Sequence, residues 1–171
     1  MKVSELHAAF ISELVELMPG WTFVKSSRHF KRTDGHVRWL FHVSFANYSD
    51  AFDALGDVAV EYVAMKKRVA IIGAQLANIA GTGYSPHPVS SRASAIDSAR
   101  ALAAEFQAVG LPVLQRYSDP AVALAALEAG GREALLISPL SNLHAQQLEA
   151  LQKLCAPPNN SSKPTPLRGA A

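Results

Sequence analysis

Apolar residues at steps of three and four open the chain. Val3, Leu6, Phe10, Leu14 and Leu17 form one stripe, with Glu5, Glu13 and Glu16 off it, which predicts an amphipathic helix over residues 3–18. Pro19-Gly20 stops it. The period then shortens to two. Residues 21–25 and 28–32 read as short strands, followed by a tight turn at Thr33-Asp34-Gly35, where Asp-Gly supplies the positive φ of a hairpin. In the next strand Val37, Trp39, Phe41, Val43 and Phe45 alternate with His36, Arg38, Leu40, His42 and Ser44. This alternation sends the first set into a core and the second to the opposite face. Phe30 belongs with the core set, which turns His29 and Lys31 to the polar face.

Residues 50–80 carry two competing patterns. Ala51, Leu55, Val58, Tyr62, Met65, Val69, Ile72, Leu76 and Ile79 fit one long helix. Gly56 and Gly73 interrupt that helix, residues 58–62 alternate, and about thirty residues is long for one helix. Two strands, over residues 52–64 and 68–80, fit better. Residues 81–88 form a loop by their Gly and Pro content. Three helices follow. One is capped by Ser90 or Ser91 and stopped by Gly110, with Ile96, Ala99, Ala103, Phe106 and Val109 inward. One opens with Pro120 after Asp119 and ends at Gly130-Gly131. The last runs from Ser141 through Cys155, with Leu148, Leu151 and Cys155 on one side. The expected architecture is α+β: an N-terminal helix, an antiparallel sheet of about four or five strands, then about three packed helices. Residues 1–155 form the single domain. The Pro-, Asn- and Ser-rich residues 156–171 cannot build a core and are expected to be disordered.

Composition narrows the function classes. Of 171 residues, 49% are hydrophobic and 18% charged, which is globular, and the net charge of +2 is too small to argue for nucleic acid. The lone Cys155 makes neither an intramolecular disulfide nor a zinc knuckle. Glu5 and His7 break any signal-peptide apolar region, and the most membrane-like stretch, residues 69–80, is too short to span and holds Gln75 and Asn78. The expected compartment is the cytoplasm, with no membrane partner.

The clearest local chemistry is basic. From Lys25 to Arg38, five cations (Lys25, Arg28, Lys31, Arg32, Arg38) face one acid, Asp34, with His29, His36 and His42 among them. On the strand reading His29, Lys31, His36, Arg38 and His42 share one face, suited to an acidic protein or a phosphate, or simply a solvated sheet surface. His36 and His42 lie about 20 Å apart on that strand, too far to share a metal, so no metal or cofactor is expected. No nucleophile elbow is present, and Cys155 sits on an apolar helix side. Gly81-Thr82-Gly83 lacks the helix of a phosphate loop, since Pro86 and Pro88 follow. Tyr84 and His87 on that loop are candidates for contact. Asp53, Asp57 and Glu61 share one strand face, which a solvated edge explains.

Three segments resemble a group of small, uncharacterised bacterial α+β domains. They are Gly20-Trp21-Thr22-Phe23-Val24-Lys25 with His29-Phe30-Lys31-Arg32; residues 72–83; and Gly110-Leu111-Pro112-Val113-Leu114 with Tyr117-Ser118-Asp119. The resemblance implies an N-terminal helix, an antiparallel sheet and packed helices. It also implies that such a chain can serve as an immunity protein, a small partner that neutralises a toxin. It carries over no catalytic residue. The expected function is therefore a non-catalytic protein-binding module. The alternatives are an enzyme assembled from scattered residues such as His42, Tyr84, His87 and Asp119, or an anion or nucleic-acid binder using the basic face, with nucleic acid the weaker of these.

Overall fold

The computed structural model describes residues 1–64 and 70–157. Helix α1 (Val3–Leu17) buries Leu6, Phe10 and Leu14, the centre of the expected stripe. Its first turn is closed by the Lys2 backbone N–H, which donates to Glu5 at 2.9 Å. Strands β1 (Thr22–Val24), β2 (His29–Asp34), β3 (Val37–Asn47), β4 (Phe52–Tyr62) and β5 (Ala70–Gln75) follow as an antiparallel meander, in spatial order β1-β2-β3-β4-β5. β4 alternates buried and half-buried residues along its whole length, which settles the long-helix question in favour of strands. The expected second strand is shorter than residues 68–80: it ends at Gln75, and Leu76–Ala80 turn into the short helix α2, closed by Gly81 at φ 76°. Residues 68 and 69, and the tail from residue 158, lie outside the described residues.

The loop expected over residues 81–88 contains a short strand, β6 (His87–Val89), which pairs with the Phe52–Ala54 end of β4. β4 thus carries β3 along one edge, and β5 and β6 end to end along the other. Helix α3 (Arg92–Glu105) starts at Ser91, whose hydroxyl accepts from Ser94 N–H at 3.1 Å. Gly110 does not stop it. The chain passes through a π-helical turn (Phe106–Gly110) directly into α4 (Leu111–Arg116). Pro112 lacks the N–H for an α-helical bond to the preceding turn, and the wider π turn carries the helix past it. Gly110 is buried, and a Cβ there would lie 2.8 Å from Leu76 and 3.0 Å from Val58, so its role is close packing.

Asp119 caps α5 (Pro120–Ala129), as expected. A short unforeseen helix, α6 (Gly131–Ile137), follows before α7 (Ser141–Cys155). One core joins α1, the inner face of the sheet and the helices, from Leu6 and Phe10 through Trp39, Phe41, Val58 and Tyr62 to Leu102, Phe106, Leu127 and Leu151. No described helix is long and apolar enough to cross a membrane.

Candidate functional site

The helices pack on the Phe41 side of the sheet, and strand register fixes what stands on the other side. Val24, His29, His42, Asp57 and Gln75 form one row across five strands. Thr22, Lys31, Leu40 and Ala59 form the next, and Thr33, Arg38, Glu61 and Ala70 the third. Ser44 opposite Leu55 extends the face beyond His42. Lys31 and Thr33 are exposed, whereas His29, Arg38, Leu40 and His42 are half-buried among their neighbours.

This face is not basic. Arg38 donates to Glu61 at 3.1 Å, and His42 Nδ1 lies 3.2 Å from the Asp57 carboxylate. Two carboxylates thus stand against the two cations of the face, Lys31 and Arg38. The other cations of the run leave it. Arg32 lies over the Trp39 ring at 5.6 Å, Arg28 lies over Phe45 at 5.4 Å, and Lys25 lines a groove beside α1. His36 also leaves the face, contrary to expectation. The turn is Gly35-His36, one residue later than Thr33-Asp34-Gly35. His36 therefore stands outside the strand register, and its Nε2 lies 3.0 Å from the Ser118 carbonyl beyond α4.

His29 stays on the face, with Ser27 Oγ 2.7 Å from its Nδ1. Partial burial lowers its pKa below the usual histidine range, and His42, Lys31 and Arg38 add to this against Glu61. Beside Lys31 and Arg38 a polar hollow of about 290 Å³ opens at the edge of the face, walled also by Gly20, Thr22, Arg32 and Thr33, so that three cations border it. At the far end of the first row, Asp57 and Gln75 border a cleft of about 430 Å³ completed by Asn78, Arg132, Leu136 and Pro139. The His42–Asp57 pair has the form of an oriented general base. Among the described residues no serine, threonine or cysteine lines the cleft beside it to act as nucleophile.

Tyr84 and His87 belong elsewhere. Tyr84 is 65% exposed. His87 sits opposite Ala54 on the helix side, 2.8 Å from Glu105 of α3. Asp119 caps α5 near the Tyr62 end of β4, about 26 Å along the strand from Ala54. The scattered set His42, Tyr84, His87 and Asp119 is therefore not one site. Burial, with Asp119 and Glu128 nearby, pushes the Cys155 thiol up, away from nucleophilic character. Among the described residues no group of three His, Cys, Asp or Glu side chains could hold a metal ion.

No family model, curated protein or solved structure matches the chain. The site is read from its geometry alone. Asp57 and Glu61 share the face by strand parity, a signal present in the sequence. Gln75 and Arg132 carry no such signal, since a β-bulge in β5 and the unforeseen α6 bring them to the cleft.

Proposed function

We propose that the chain is a non-catalytic binding module that holds a protein partner against the open face of its sheet. The observation that carries this reading is the layout of that face. Leu40 and Ala59 form an apolar centre, flanked by the Arg38–Glu61 pair on one side and the His42–Asp57 pair on the other, with Leu55 beyond the second pair. An apolar centre inside a rim of charge is the usual anatomy of a protein interface. Outside the hollow lined by Lys31, Arg32 and Arg38 the charge of the face cancels, which argues against a nucleic-acid backbone, since that needs a net positive stripe. Toxin neutralisation, implied by the resemblance noted above, is a narrower form of the same proposal, and the identity of the partner decides it.

The test is affinity capture of the tagged chain from its native lysate, repeated with Leu40→Asp and Lys31→Glu. A stoichiometric protein recovered with the parent chain and lost with Leu40→Asp supports the reading. Equal recovery with both variants removes the face as the site. Recovery of nucleic acid that disappears with modest added salt favours the alternative.

A further inference from the structure

A second surface lies on the helix-bearing side of the sheet, apart from the open face. Between α1 and the β1–β2 hairpin runs a groove of about 550 Å³, within the range of small-molecule sites. Ala8 and Ile11 of α1, Phe23 of β1 and Phe45 of β3 supply apolar walls. His7 stacks on Phe45 with ring centroids 4.3 Å apart, and its Nε2–H donates to the Asn47 side-chain oxygen at 2.9 Å.

Lys25 and Arg28 also line this groove, and among the described residues no acid does. Among the described residues neither cation joins an ion pair. Arg28 is held in place by its backbone. Its φ of 49° is the one positive value at a described non-glycine residue. Its carbonyl accepts from Val43 N–H at 2.9 Å, and its guanidinium carbon lies 5.4 Å from the Phe45 ring centre. A strained residue held with an unanswered guanidinium points to a ligand that answers it. Stacking on an aromatic face leaves the in-plane N–H donors free for a carboxylate.

We propose that this groove binds a small apolar carboxylate, its hydrocarbon part against Phe23 and Phe45 and its charge on Arg28 and Lys25.

The probe is 2-naphthoate titrated into the full chain by fluorescence, with neutral 2-naphthamide as its uncharged counterpart. The naphthoate is expected to saturate with Kd below about 1 mM and the amide to bind about tenfold more weakly. Arg28→Gln and Lys25→Gln should each weaken naphthoate about five- to tenfold. Ala8→Trp, which fills the apolar wall and leaves both charges, should abolish binding. All three positions are exposed, so the variants should melt with the parent chain. No saturation by about 5 mM naphthoate overturns the proposal, as do amide affinity equal to that of naphthoate and unchanged affinity in Ala8→Trp.

Discussion

His42 and Asp57 stand directly opposite each other on β3 and β4, with Nδ1 3.2 Å from the carboxylate. Both side chains are partly exposed, at 42% and 26%. A solvent-screened pair of this kind contributes little to folding, about 1 kcal/mol at most. Asp57→Asn and His42→Gln should therefore shift the urea midpoint only slightly while changing the charge beside Leu40. If the open face is an interface, these variants weaken capture of the partner and leave folding intact. A large loss of stability in either would mean that the pair is structural.

Acid should destabilise the fold through two other histidines. Burial first, with Arg28 adding to it, holds the His7 pKa below the usual histidine value despite its bond to Asn47, and His29 is depressed in the same direction. The unfolded chain takes up these protons first as pH falls through about 6.5, and each uptake favours unfolding. The stability that neutral His7 and His29 contribute is present above that pH and is lost as pH falls through their lower folded values. Urea midpoints at about pH 7.5 and about pH 5.5 should differ less in a His7→Gln/His29→Gln double variant than in the parent chain. Equal losses would count against both assignments.

The elements legible in the sequence are those whose period is long and unbroken. β3 alternates buried and half-buried residues from Val37 to Ser44 and β4 over all eleven of its residues, so their faces follow from parity once each is read as a strand. The helix stop at Gly110 failed because a buried glycine at φ −72° looks in sequence like a C-cap. Only the nearness of Leu76, Phe106 and Val58 gives its reason. His36 failed by one residue of turn placement, and that shift takes a side chain off a sheet face. The basic run misled for a related reason. Consecutive cations on strands and turns point in different directions, and cross-strand acids 15 and 23 residues away cancel those that share a face. The α1 groove gave no signal at all, because its cations and aromatics come from three separate elements.

Gly56 and Gly110 press on the same leucine. A Cβ on Gly56 would lie 2.7 Å from the Phe41 ring and 3.0 Å from Leu76, and one on Gly110 would lie 2.8 Å from Leu76. Gly56→Ala and Gly110→Ala should each destabilise by about 1–3 kcal/mol through overpacking. They share a partner, so the effects should not add. Leu76→Ala should cost less in the Gly56→Ala background than alone, since the new methyl occupies part of the space vacated. Strictly additive urea midpoints would refute a shared contact at Leu76.

Tyr62 ties the end of β4 to the helical layer. Its ring is fully buried, and its hydroxyl donates to the Tyr117 carbonyl at 2.7 Å. Tyr62→Phe keeps the ring and strands that carbonyl, which should cost about 1–2 kcal/mol and lower Tm by about 2–8 °C for a chain of this size. Tyr84→Phe, at an exposed position, should leave Tm within about 1 °C of the parent. Alkali supplies a second readout. Burial, with Asp119 nearby, holds the Tyr62 hydroxyl protonated far above its usual range. Burial and a hydrogen bond to Glu133 push Tyr117 up to about 12. As pH rises past about 10 the unfolded chain releases these protons first, so stability present below that pH is lost above it. Tyr62→Phe removes one of the two groups and should make the fall in urea midpoint between about pH 9 and about pH 11 shallower than in the parent chain. An unchanged slope would mean that water reaches the Tyr62 hydroxyl and that this end of β4 is open.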